Sequence, residues 1–143
     1  MLSNPYLQYR RAQTETSDPG ELVVMLYQGA IRFLQRAALA IKAGDPETAH
    51  SSIIRAQDIV QELNVTLDHS RGDVASNLSQ IYEYAYWRLV QANCKKDLGA
   101  IEEVTGLLRE LLPAWQEALR IVRQRQAAPS PRVSYQAVAV GAS

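Results

Sequence analysis

The chain has one cysteine, Cys94, so no internal disulfide can staple it, and it must be held by packing alone in a reducing compartment. It has no stretch approaching the ~18–20 apolar residues of a membrane span. Its opening, MLSNPYLQYRRAQ, lacks the basic start and continuous apolar run of a signal peptide. These absences point to the cytoplasm, without stable membrane insertion. Net charge is missing too: 15 basic residues balance 15 acidic ones, so no whole-molecule field draws in nucleic acid or an anionic membrane. The balance is uneven, since no acid follows Glu117 while Arg120, Arg123, Arg125 and Arg132 do, which makes that end +4 and the remainder −4. With no aromatic ladder or helix-turn-helix beside these arginines, they read as a solvated end, and no nucleic-acid partner is expected.

Catalytic constellations are absent as well. Glu47 and His50 form a single E-x-x-H, whereas a di-iron bundle needs a second copy and further inward glutamates. Glu47 in a first helical turn is explained by the helix dipole alone. His69 lies in a turn beside Gly72 rather than mid-helix, which argues against phosphotransfer, and Cys94 reads as a half-buried structural residue despite Lys95 and Lys96. No glycine-rich phosphate loop occurs. The chain is therefore read as a non-enzyme, with no cofactor and no metal.

What is present is helix. Asp18-Pro19 is a cap followed by the residue best suited to a first helical position, with Glu21 placed for a capping box. The segment that follows, Asp18 to Ile41, carries two apolar stripes where a surface helix carries one. Leu22, Met25, Leu26, Gly29, Phe33, Ala37 and Ala40 form one; Val23, Tyr27, Ala30, Ile31 and Leu34 cover much of the rest. Such a helix must be enclosed on several sides, by its own fold or by something that docks. Asp45-Pro46 starts a second helix to about Asp68, with Ala49, Ile53, Ala56, Val60, Leu63 and Leu67 as its seam. After the turn His69 to Gly72, Asp73 is expected to cap a third helix with Leu78, Ile81, Ala85, Leu89 and Ala92 inward. Asp97 caps a fourth with Ile101, Val104, Leu108, Leu111, Trp115, Ala118 and Val122 inward, and Pro113 predicts a bend or restart near Leu112. Short connections make neighbours antiparallel.

The expected architecture is all-α: an antiparallel four-helix bundle over residues 18–126, a short N-terminal helical lid over 1–17, and a disordered tail over 127–143. In the tail, Val133, Tyr135, Val138 and Val140 alternate as in an extended segment that a groove can accept. Seven tyrosines against one phenylalanine favour rings that are apolar on the face and polar at the tip, a bias typical of interfaces. Tyr82 and Tyr86 share a helix face and Tyr84 points away, so the three cannot all serve one core.

Four motifs, in order along the chain, carry a resemblance. N-P-Y-x-x-Y-R at 4–10, E-L-V-x-M-L-Y-x-G-A-I-R-F-L at 21–34, A-Q-D-I-V-Q-E-L-N-x-T-L-D at 56–68, and the tyrosine-bearing block from Leu78 to Asn93 together resemble the flagellar export chaperones of the FliS family. The resemblance implies a cytosolic bundle that binds the disordered C-terminal segment of flagellin, prevents premature polymerisation and aids delivery to the flagellar type III export apparatus. Export-gate and flagellar regulatory proteins would be further partners. It also implies a lid built from Asn4, Tyr6 and Tyr9, and a flagellin-binding groove drawing on Leu26, Tyr27, Gly29, Ile31, Gln57, Ile59 and Leu63. Gly20 and Gln28 depart from the family pattern, where acids are usual. A second reading, from the apolar first helix alone, is a regulatory or scaffold bundle that forms a homodimer through that helix.

Overall fold

A computed structural model describes residues 18–127. Four helices follow in order: α1 (Pro19–Lys42), α2 (Pro46–Val65), α3 (Asp73–Lys95) and α4 (Leu98–Ala127), with a 3-10 turn at His69–Arg71 between α2 and α3. The fold is an all-α bundle, as the periodicity implies. α1 packs against α2 and α4, and α3 against the same two, so α1 and α3 are diagonal partners. Segments 1–17 and 128–143, including Asn4, Tyr6 and Tyr9, lie outside the described residues.

The helix starts follow the capping chemistry. Asp18 accepts from the backbone N–H of Gly20 and Glu21 at 3.1 and 3.2 Å, Asp45 from Thr48 at 3.1 Å, and Asp97 from Ala100 at 3.3 Å. Each satisfies a donor that the first turn leaves orphaned. Asp73 departs from its expected role. It is the first residue of α3, and the cap is Gly72, at φ 68°, a backbone conformation that an L side chain rarely adopts, with no side-chain cap bond. α2 also stops early, at Val65, because Thr66 turns its hydroxyl back onto the Leu63 carbonyl at 2.7 Å.

The core is continuous. Leu22, Leu26, Leu34, Ala37, Ile53, Val60, Leu89, Ile101, Val104 and Leu108 belong to one buried cluster drawn from all four helices. α1 supplies both of its stripes to it, because α2 and α4 enclose it from two sides. Its surplus apolarity is consumed internally, and Leu39 is the large apolar side chain that it leaves exposed. Met25 and Phe33, expected inside, are half-buried at the margins, and Cys94 is exposed rather than half-buried.

Across the diagonal runs a polar chain. Trp115 Nε1 donates to the Tyr27 hydroxyl at 3.0 Å, and that oxygen lies 2.6 Å from the Tyr82 hydroxyl. Tyr27 and Tyr82 are fully enclosed, so each needs such a partner to avoid a lost hydrogen bond of about 1–3 kcal/mol. Burial pushes both phenols above the ordinary tyrosine value, Tyr82 further because Tyr27 stands beside it. Both stay neutral at physiological pH.

α4 does not restart at Pro113; it is one helix of 30 residues. Proline removes its own N–H and leaves the carbonyl four residues earlier, that of Arg109, without a helical donor. Pro113 and Arg109 are both exposed, so water can serve the orphaned carbonyl and the helix continues.

Candidate functional site

α4 outruns its neighbours, and the site follows from that. It has 30 residues against 24 in α1 and 23 in α3, and its buried positions, Ala100, Ile101, Val104, Thr105 and Leu108, all lie in its first half. Leu111 and Trp115 are partly covered. Ala118 and Val122, which the seam predicts as interior, are exposed, Val122 by 47%. The apolar stripe keeps its period while the bundle beneath it ends.

Where the stripe is uncovered, the helix ends frame a cleft of about 840 Å³. The start of α1 contributes Pro19, Gly20 and Val23. The end of α2 and the turn after it contribute Thr66, Leu67, Asp68 and Arg71, α3 contributes Val74, Ala75 and Leu78, and α4 contributes Trp115, Ala118, Leu119, Val122 and Gln126. The floor is apolar, with a few polar groups at the rim, the composition expected of a binding cleft. Val74, which lines the cleft, is 66% exposed.

Two features hold the cleft open in a fixed shape. Trp115 is anchored from below by its bond to Tyr27, with ring centroids 6.3 Å apart and planes at 44°. Arg123 reaches from the end of α4 to the first turn of α1, 3.5 Å from Asp18 and 3.1 Å from Glu21. The two helices approach closely there, so that a methyl group added at Gly20 would stand 3.1 Å from Leu119 Cδ1. At the rim, hydrogen bonds from Ser70 hold the Asp68 carboxyl below its usual range, and Arg71 adds to the shift.

The seven groove positions expected from the sequence fall elsewhere. Leu26, Tyr27, Ile59 and Leu63 are fully buried in the core, while Ile31 and Gln57 keep 8% and 7% exposure. Gly29 is buried in α1. Two residues turn a helix by about 200°, so Gly29 and Ile31 leave α1 from opposite flanks and cannot line one continuous track. Ile31 shares its flank with Val24, which lies beside Gln116 and Leu119 of α4 in a second, shallower depression. Gln57 carries a buried side-chain oxygen with no hydrogen-bond partner, as does Asn64 two turns further along α2.

The cleft residues Leu67, Val74, Leu119 and Val122 were missed as a site. The available signal was length: the α4 seam continues after its neighbours α1 and α3 have no residues left to meet it.

Other chemistry is not assembled. Among the described residues, no three His, Cys, Asp or Glu side chains gather in a metal-binding arrangement, and no helix is long and apolar enough to cross a membrane. Glu47 and His50 are both exposed, and the His50 ring meets Asn93 at 2.9 Å. On the outer face of α3, Trp87 is 60% and Tyr84 51% exposed, with Tyr86 set edge-on to Trp87 at 5.3 Å. Tyr84 and Arg88 both hydrogen-bond Glu103 of α4, and the carboxyl titrates below its ordinary range because of those two bonds.

The sequence relationships decide what kind of bundle this is. The family model described as flagellar protein FliS matches residues 2–122. This chain belongs to the FliS family. Among FliS relatives, the flagellar secretion chaperone FliS of Bacillus subtilis is 40% identical over 123 residues, covering 86% of this chain and 92% of the relative. That of Salmonella typhimurium is 36% identical over 123 residues, covering 85% and 83%. That of Escherichia coli is 37% identical over 101 residues, covering 69% and 74%. Membership in FliS places the chain among chaperones of flagellar export. The match ends at Val122, within the exposed end of α4 that lines the cleft.

Proposed function

We propose that this chain is a cytosolic, non-catalytic export chaperone that binds the C-terminal segment of flagellin, keeps it from polymerising, and presents it to the flagellar type III export apparatus. Export-gate and flagellar regulatory proteins are its further partners in this reading. The observation that carries it is the uncovered second half of α4. Trp115, Leu119 and Val122 extend the core stripe into an open cleft that an amphipathic client helix would complete.

A disordered client loses conformational freedom on binding, so the chaperone must offer a long apolar track while leaving the complex releasable. The cleft supplies the track. In the same proposal Ile31 and Gln57 are separate further contact points on α1 and α2, over the packed layer of Leu26, Tyr27, Ile59 and Leu63, with Gly29 on the flank of α1 opposite Ile31. The lid role of Asn4, Tyr6 and Tyr9 belongs to the same proposal. A homodimer through α1 loses its motive, because both apolar stripes of that helix are used inside the bundle.

The test is size-exclusion chromatography with light scattering, with and without a synthetic flagellin C-terminal peptide. A monomer that forms a one-to-one complex supports the proposal. A dimer that ignores the peptide overturns it.

A further inference from the structure

The cleft has a candidate occupant within the chain. α4 ends at Ala127, one residue past Gln126, which lines the cleft, and sixteen residues follow. Fully extended, sixteen residues reach about 50 Å. Running back along α4 from Gln126 to Trp115 covers only about 16 Å at 1.5 Å per residue. The chain length is ample for a return over the cleft.

The composition suits a return as well. Pro129 and Pro131 each lack the N–H that a helix would use, so the sequence after Ala127 favours an extended segment. Val133 and Tyr135 then alternate with polar residues, the pattern that presents one apolar edge when a backbone is extended. Arg132 precedes them, and the segment has no acid, whereas the charged groups of the cleft, Asp18, Asp68 and Arg71, sum to −1. Among the described residues, Val74 and Val122 of the lining it would meet are exposed.

We propose that residues 128–143 dock in this cleft as a tethered, displaceable occupant. A short tether gives the segment an effective concentration on the order of millimolar, so a dissociation constant in that range already fills the cleft about half of the time. A client binding at micromolar strength displaces it. The competition with flagellin rests on the function proposed above; the docking itself does not.

Fluorescence tests the docking without flagellin. The chain has two tryptophans, and Trp87 is exposed on α3, so Trp87→Phe leaves Trp115 on the cleft floor as the only indole. In that background, ending the chain after Ala127 is expected to red-shift the emission and increase quenching by acrylamide. A synthetic peptide of residues 128–143 should reverse both, saturably, in the millimolar range. The full-length Val133→Asp, Tyr135→Asp variant should behave like the truncated chain.

Unchanged emission after truncation overturns the docking. So does a shift that appears on removing residues 1–17 instead, which makes the N-terminal segment the occupant, or one that depends on protein concentration, which makes it a second copy. For the competition, truncation should tighten flagellin-peptide binding about twofold or more, and equal affinity overturns it. A peptide that binds neither protein counts against the flagellin reading and leaves the fluorescence result to decide the docking.

Discussion

The two halves of α4 carry the same apolar period and live in different surroundings. In the first half, Ile101, Val104 and Leu108 are sealed inside the common core; in the second, Trp115 is half-covered and Ala118 and Val122 face water. Periodicity therefore tells that a helix face needs a partner, and it does not tell whether that partner is in the same chain. α1 shows the converse. Its double stripe looked like surplus awaiting a ligand, yet two neighbouring helices absorb it.

Leucine at 108 offers the largest break in that comparison. Leu108→Ala leaves a void in the closed half and should cost about 2–5 kcal/mol of stability in a denaturant melt, with flagellin-peptide affinity unchanged wherever the protein is folded. Next comes the hydrogen-bonded chain at Trp115, where the two halves meet. Tyr82→Phe strips one oxygen from the Trp115–Tyr27–Tyr82 chain and should cost about 1–3 kcal/mol.

The same chain predicts an alkaline signature. Burial raises both phenol pKa values above the ordinary 10.0, so the unfolded chain ionises first and stability that is fully present below pH 10 is lost as pH rises beyond it. An absorbance titration should find Tyr27 and Tyr82 silent until the protein unfolds, while Tyr84, exposed and raised chiefly by its bond to Glu103 rather than by enclosure, ionises in the native state. Ionisation of all seven tyrosines together, with the fold intact, would contradict the enclosure.

In the open half the expected effect moves from stability to binding. Val122→Asp should change stability by no more than about 0.5 kcal/mol, yet weaken the flagellin peptide about tenfold, or about 1.4 kcal/mol, by calorimetry. Arg123→Ala gives the smallest change. Its pairs with Asp18 and Glu21 are half exposed, so about 0–1 kcal/mol is at stake, and the difference from the parent should shrink as salt is added.

Much of the fold was legible. Asp18-Pro19, Asp45-Pro46 and Asp97 start helices because capping is local chemistry, and the α2 seam from Ala49 to Leu63 is buried as its spacing implies. The misses were of another kind. Asp73 is a good cap by composition, but Gly72 alone can take the positive φ that the turn requires. Pro113 is tolerated where water can reach the carbonyl it orphans, and that exposure is not written in the sequence. The Tyr27–Tyr82 bond joins residues 55 positions apart across the bundle diagonal, which no spacing rule reaches. For the site, the apolar residues were visible and their division between core and cleft was not, because helix length relative to neighbours decides it.

Hydrogen exchange on the free and flagellin-peptide-bound protein tests the division of α4 most directly. The account predicts added protection at residues 115–126 and in the facing segment 66–78, with residues 100–112 unchanged because they are already closed. Protection that rises only in the first half of α4, or nowhere along the cleft, would contradict it.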